Sequence, residues 1–184
     1  MGLFDFLKKK TSSKCVILGL DSSGKSTIVS FIQTGTFVEH TPTMGKSRAD
    51  IEIDGTRLAL FDMGGQEDFR SMWLGEMNNA KLVIFVIDSA NAKRFDEARG
   101  ELMKLIPLIK ERKIKLVVMA NKRDIQKAVS IPEIITSLNL TQIENFEIMP
   151  ISAKTGFGLA DAFAKIYSEI TGKPIKKRDR KSVV

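Results

Sequence analysis

The sequence predicts an α/β fold: a six-stranded, mostly parallel sheet with one antiparallel edge strand and helices on both faces. Three observations carry that expectation. Short apolar runs recur along the chain with helix-spaced segments between them, the alternation a parallel sheet requires. Most of these runs are continuously apolar, as in strands buried on both faces. One pair of runs is separated by Asp54-Gly55, a hairpin signal that adds an antiparallel edge.

In chain order, Cys15–Leu20 reads as a buried strand and Lys25–Gln33 as the helix that follows it. Arg48–Ile53 alternates, turns at Asp54-Gly55 and continues as Arg57–Asp62. Leu82–Asp88, Lys115–Ala120 and Phe146–Ile151 are three more short strands. Arg94–Ile109, Pro132–Leu138 and Leu159–Ile170 have helical spacing, and Pro132 sits in a first turn, where its missing N–H costs no bond. At 184 residues the chain is one domain with room for a real core, and no repeat or linker divides it. The best apolar run, Leu82–Ile87, is far short of the ~20 residues that cross a bilayer. Cys15 is the single cysteine, so no intramolecular disulfide forms, which fits a reducing compartment. At the N-terminus charge follows the short apolar patch, the reverse of a secretory signal.

The formal net charge of +7 belongs to the two ends. Residues 1–14 carry +3 and residues 172–184 carry +5, which leaves −1 for residues 15–171. A nearly neutral body argues against a nucleic-acid-binding face, whereas basic tails suit an anionic membrane. The competing reading is that both tails are merely solvated. In "GLFDFLKKK", Leu3, Phe4, Phe6 and Leu7 fall within a helical arc of roughly 160°, with Asp5, Lys8 and Lys9 outside it. Two phenylalanines with lysines suit an interfacial membrane helix, against a plain segment that packs on the domain. The chain thus divides into an amphipathic segment, 1–13, a folded domain, 14–171, and a basic tail, 172–184.

The chemistry is concentrated in "GLDSSGKST", Gly19 to Thr27, between the first strand and the first helix. It fits G-x-x-x-x-G-K-[ST] in the required strand–loop–helix context. Glycines let the loop of Asp21, Ser22, Ser23 and Gly24 curl its N–H groups around phosphate oxygens, and the helix start at Lys25, Ser26 and Thr27 aims its positive end at them. Lys25 reaches the outer phosphates and the Ser26 hydroxyl is a Mg²⁺ ligand. "DMGGQ" ends the second hairpin arm: Asp62 is placed to hold Mg²⁺ through water, the Gly65 N–H to meet a γ-phosphate, and Gln66 to orient an attacking water. "NKRD", Asn121, Lys122, Arg123 and Asp124, ends another strand, at the sheet edge where such folds bind ligands. An Asp carboxylate there accepts from guanine N1–H and the 2-amino group, donors that adenine lacks. "SAK", Ser152, Ala153 and Lys154, ends the next strand and completes the base pocket.

On these motifs the chain resembles the Ras-like small GTPases, a P-loop NTPase fold, and within them the Arf/Arl branch, across about residues 1–172. The branch features are "GLDSSGKST", "PTMG" at Pro42–Gly45, "DMGGQ" and Trp73. The resemblance implies that Thr43 is a Mg²⁺ ligand sensing the γ-phosphate, with switch I near 36–47 and switch II near 63–78. It also implies GTP and GDP as ligands with Mg²⁺, a nucleotide-dependent register shift of the hairpin, and release of an N-terminal helix. An exchange factor, a GTPase-activating protein and effectors are the implied partners. The departures fall on the effector surface: Lys46 and Glu76 replace aromatic residues there, and Phe61 replaces tryptophan. Gly2 is present, but Phe6 breaks the M-G-x-x-x-[ST] pattern of myristoylation.

The expectation is a GTP/GDP switch, cytoplasmic and peripheral on a membrane in the GTP state, that hydrolyses GTP slowly. The alternative is a GTPase working as an enzyme or assembly subunit without reversible membrane association. No sequence feature nominates an arginine finger in cis, and Asp21 stands in the loop where its bulk opposes an attacking water. Arg70 reads as salt-bridging or partner-facing, His40 as an exposed loop residue, Cys15 as core, and Met63, Met72 and Met77 as switch packing.

Overall fold

The computed structural model describes residues 13–41, 43–53 and 56–173. The amphipathic segment through residue 12, the Asp54-Gly55 turn, Pro42 and the tail from residue 174 lie outside them.

Six strands form one sheet among the described residues: β1 (Ser13–Leu18), β2 (Lys46–Ile53), β3 (Thr56–Met63), β4 (Ala80–Asp88), β5 (Lys115–Asn121) and β6 (Phe146–Pro150). Their order is β2-β3-β1-β4-β5-β6. Only the β2–β3 pair is antiparallel; β1 pairs in parallel with β3 and β4, and β5 with β4 and β6. The expected sheet is present, with elements one to two residues longer or shifted from the sequence reading. The largest shift is at β1, which begins at Ser13 and stops at Leu18, because Gly19 and Leu20 already belong to the following loop.

Helices α1 (Lys25–Thr34), α4 (Phe95–Glu111), α5 (Ile131–Ser137) and α6 (Leu159–Thr171) cover the sheet, with two one-turn helices, α2 (Glu67–Arg70) and α3 (Trp73–Glu76), after β3. The period of two along each strand divides the core in two. Cys15, Ile17, Leu82, Ile84 and Val86 face α1 and α6; Val16, Leu18, Val83, Phe85 and Ile87 face α3, α4 and α5. Side chains on both faces make the strands read as unbroken apolar runs. Helix α5 is started by Ser130, whose hydroxyl accepts from the Glu133 N–H at 3.4 Å, with Pro132 in its first turn. Trp73 and Met77, after β3, are fully buried; the Trp73 Nε1–H donates to the Gly64 carbonyl at 3.1 Å and its ring meets Phe85 edge-on. Met72 is exposed, unlike Met63 and Met77.

The described ends of the chain share one side. Lys115 opens β5 opposite Leu82 near the start of β4, and its ammonium pairs with Glu169, in the last turn of α6, at 3.1 Å. The C-terminus of α6 therefore lies at the edge of the sheet where β1 begins, away from the loops after the strands. Lys14, counted above with the N-terminal basic segment, belongs to β1, where it pairs with Glu76 at 3.1 Å and sits 4.7 Å over the Phe61 ring. The segment before β1 then carries +2 rather than +3.

Candidate functional site

The parallel strands deliver their loops to one edge, so segments far apart in sequence meet there. After β1 the chain turns at Gly19 (φ 137°) and Gly24 (φ 98°) into α1. Both glycines are required by contact as well as by φ: a Cβ on Gly19 would overlap the Val86 carbonyl oxygen, and one on Gly24 the Asn121 amide. The first i→i−4 bond of α1 runs from the Ile28 N–H to the Gly24 carbonyl at 3.0 Å. The N–H groups of Lys25, Ser26 and Thr27 consequently have no partner within the helix and are available to an anion.

Lys25 is 6% exposed, and its ammonium donates to the carbonyls of Gly19 (2.9 Å) and Leu20 (3.0 Å). Burial pushes its pKa down to about 8, against the pull of Asp62 and Asp21 in the other direction. Three oxygen-bearing side chains from three elements converge beside it. The Ser26 hydroxyl donates to Asp62 Oδ2 at 2.5 Å, the Thr43 hydroxyl to the same oxygen at 3.1 Å, and the two hydroxyls are 2.8 Å apart. Asp62 is 3% exposed, and its other oxygen, Oδ1, is buried with no hydrogen-bond partner among the described residues.

Gly65 lies against the phosphate-type loop so closely that a Cβ would overlap the Asp21 nitrogen and Leu20 carbonyl carbon. The Gly64 N–H donates to the Gly45 carbonyl at 2.8 Å, tying the segment after β3 to the one before β2. On the other side, Asn121 is a buried staple: its Nδ2 donates to the Ser23 carbonyl at 2.8 Å and its Oδ1 accepts from the Ala153 N–H at 2.9 Å. Lys122 adopts φ 65° and its ammonium pairs with Asp88 at 2.7 Å. The Ser152 hydroxyl donates to Asp124 Oδ1 at 2.6 Å.

A cavity of about 430 Å³ joins these groups. Its lining includes Asp21, Ser22, Gly24, Lys25, Ser26, Thr27, Thr43, Gly65 and Gln66, together with Asn121, Lys122, Asp124, Ala153 and Lys154. Of the residues singled out in the sequence, Ser23, Asp62 and Ser152 are not among the lining residues; each is buried and touches the site through neighbours. Phe37, Glu39, Thr41 and the exposed His40, which fall within the segment 36–47 but carry no site role in the sequence reading, also line the cavity, as does Ile125. None of them belongs to a motif, so their individual side chains are identified only by their place in the loops bordering the site.

Two arginines flank the loop. Arg94 donates to the Asp21 carboxylate at 2.7 Å and to its carbonyl at 3.2 Å, and Arg70 donates to the Gly65 carbonyl at 2.9 Å. The Asp21 carboxyl is held below its ordinary range by the Arg94 hydrogen bond, against its own desolvation. Neither arginine lines the cavity, and both are engaged by carboxylates of α4. The sequence reading of Arg70 as a salt-bridging residue matches this placement; Arg94 had no motif to reveal it.

The comparisons with known proteins agree with this geometry. Residues 2–170 match the model of the ADP-ribosylation factor family. The chain is 34% identical over 176 residues to ADP-ribosylation factor-like protein 3 of Chlamydomonas reinhardtii, covering 92% of this chain and 99% of that protein. It is 35% identical over 159 residues to the human ADP-ribosylation factor-like protein 5A, covering 85% and 89%. Among solved structures, the Arl6 small GTPase of Trypanosoma brucei, which holds the nucleotide analogue GppNp, superposes with a TM-score of 0.75 at 27% identity over 86% of this chain and 96% of that one. The mammalian SRP receptor structure superposes at 0.79 with 21% identity, over 85% and 99%, a likeness of fold. The cavity and its loops belong to that same fold, and the chain is a member of the ADP-ribosylation factor family, an Arf-like small GTPase that binds guanine nucleotides.

Proposed function

We propose that the protein is a GTP/GDP switch whose GTP state, held by Lys25, Ser26, Thr43, Asp62 and Gly65, recruits effectors at a membrane surface, and whose own hydrolysis is slow. The observation that carries this reading is the convergence of Ser26, Thr43 and the buried Asp62 beside Lys25, next to a cavity that Asp124 also borders.

The donor set fits Mg²⁺. Three hard oxygens lie within 2.5–3.1 Å of one another, and the buried Asp62 Oδ1 lacks a partner among the described residues. Ser26 and Thr43 would hold the ion directly and Asp62 through water. Bound there, it would neutralise charge on phosphate oxygens. Each remaining role falls to the chain itself. Lys25 and the amides of Asp21–Thr27 hold the phosphates, with Ser22 and Ser23 contributing backbone. The Gly65 N–H meets the terminal phosphate, and Gln66 orients the attacking water. Asp124 reads guanine, supported by Ser152, while Asn121, Lys122, Ala153 and Lys154 shape the base pocket.

Slow turnover is part of this reading: no arginine is among the described residues that line the cavity, and an arginine at the transferred phosphate is worth 10³–10⁵ in rate. A GTPase-activating protein would supply what is lacking, and an exchange factor would open the cavity. The membrane step rests on the basic ends and on Leu3, Phe4, Phe6 and Leu7, with both described chain ends on the side of the sheet opposite the cavity. No helix among the described residues is long and apolar enough to cross a membrane, so attachment would be peripheral.

Competition titration tests the base reading: GTP and GDP displace a fluorescent guanine nucleotide, and ATP does not. Equal displacement by ATP and GTP would remove Asp124 from its role.

A further inference from the structure

We infer that Glu97 is a positioning residue for the GTP state: through Arg70 and Arg94 it holds together the two backbone segments that border the terminal phosphate, one at Asp21 and one at Gly65. The inference rests on the reading of Gly65 as a γ-phosphate contact.

Glu97 lies in the first turn of α4, a helix fixed in the core by Phe95, Ala98 and Leu102. Both carboxylate oxygens are used. Oε1 accepts from Arg70 at 2.7 Å and from Arg94 at 3.1 Å, and Oε2 accepts from Arg94 at 2.8 Å. Each arginine then passes a second contact to backbone at the site: Arg70 to the Gly65 carbonyl, Arg94 to the Asp21 carbonyl and carboxylate. Asp21 and Gly65 themselves touch, with no room for a side chain on Gly65. One carboxylate on a rigid helix thereby sets the spacing of two loops that must close on a phosphate.

Helix α2 gives the arrangement its consequence. None of its four residues is fully buried; its packing is limited to the half-buried Phe69, whose ring lies against Gly64. Its anchor is the Arg70 side chain, only 9% exposed, which reaches Glu97 and, at 3.5 Å, Glu101. Without Glu97, α2 and the Gly65 peptide keep only the longer Arg70 pairs, 3.5 Å to Glu101 of α4 and 3.8 Å to Asp21, while the phosphate loop keeps its core packing. GDP, which has no γ-phosphate, needs the loop alone; GTP needs both segments. Glu97 stays charged at any working pH, because the arginines hold its carboxyl down at about 2.

The test compares equilibrium affinities for GDP and for a non-hydrolysable GTP analogue. In Glu97→Gln the analogue should bind about tenfold more weakly, the worth of a charged hydrogen bond, with GDP affinity within about twofold of the parent. Arg94→Lys, which keeps the charge but cannot span Asp21 and Glu97, should show the same selective loss and decides the matter if Glu97→Gln does not fold. Asp96→Asn is the control: Asp96 pairs with Arg99, at 2.9 Å, on the same helix turn and should change neither affinity. Equal losses for both nucleotides, or no loss for the analogue, would overturn the inference and leave Glu97 a surface ion pair. Failure of the parent protein to bind guanine nucleotides would instead overturn the reading beneath it.

Discussion

The Ser152 hydroxyl donates to Asp124 Oδ1 at 2.6 Å, joining the loops after β5 and β6. Ser152 is 1% exposed and is not among the residues lining the cavity, so on the reading proposed above it would act on a ligand through the Asp124 carboxylate. That carboxylate retains lone pairs for the two donors on the guanine edge. Ser152→Ala should weaken GDP binding about tenfold by freeing the rotamer and leaving one acceptor unmatched. Asp124→Asn should weaken it further and shift preference toward xanthine, whose 2-oxo group accepts from an amide where guanine donates. Equilibrium titration of both variants with GDP and XDP decides this, and unchanged GDP affinity in Ser152→Ala would contradict it.

Most of the fold and of the site was legible because period and motif speak directly about backbone. Continuous apolar runs such as Leu82–Ile87 gave strands buried on both faces, and the Gly19–Thr27 spacing placed a phosphate loop between β1 and α1. Side-chain partnerships across the sheet edge were not legible. Arg94 reaches Asp21, 73 positions earlier, through no spacing rule; only the loop after β4 arriving beside the loop after β1 brings them together. The charge count places Lys14 with the basic N-terminal residues, yet Glu76 in α3 pairs with it inside the folded domain. The short α2 and α3 lacked any period to read, being one turn each.

Lys25 gives a pH signature. Burial lowers its folded pKa from 10.5 to about 8, so between those values the unfolded chain binds more protons than the folded one. The contribution of this group to the stability of the ligand-free protein therefore rises with pH across that window. Phosphates favour the charged lysine, so nucleotide binding takes up a proton above about pH 8 and affinity falls as pH increases. Thermal unfolding with and without GDP from pH 7.5 to 10 should show the GDP-induced rise in Tm shrinking with pH. A rise in Tm that stays constant would contradict the buried, phosphate-coupled lysine.

Gly65→Ala should block the GTP-bound arrangement. The added methyl would overlap the Asp21 nitrogen and the Leu20 carbonyl carbon, both backbone atoms of the phosphate loop, which cannot swing aside as a side chain can. GDP binding should persist, since GDP does not require Gly65 at the terminal phosphate. Affinity for a non-hydrolysable GTP analogue should fall to about that for GDP or below. Normal analogue binding would show that Gly65 does not approach the phosphate.

Gln66→Leu should leave nucleotide affinity nearly intact while hydrolysis falls, because the amide orients water and holds none of the ground state. Gln66 lines the cavity at the start of α2, where its side chain makes no cap to that helix. Single-turnover hydrolysis, with and without an activating protein, reads the change. An unchanged rate in both conditions would take Gln66 out of the mechanism.

Sedimentation with anionic liposomes measures whether nucleotide state controls attachment to a membrane. The basic residues before β1 and after α6 would approach one leaflet from the side of the sheet opposite the cavity, at about 1 kcal/mol each near an anionic surface. GTP-loaded protein should pellet more strongly than GDP-loaded protein. Phe4→Ala with Phe6→Ala should reduce binding at every salt concentration, and deletion of residues 173–184 should remove mainly the salt-sensitive part. Equal pelleting in the two nucleotide states, or binding unchanged by both alterations, would show that the basic ends do not act as a nucleotide-controlled membrane anchor.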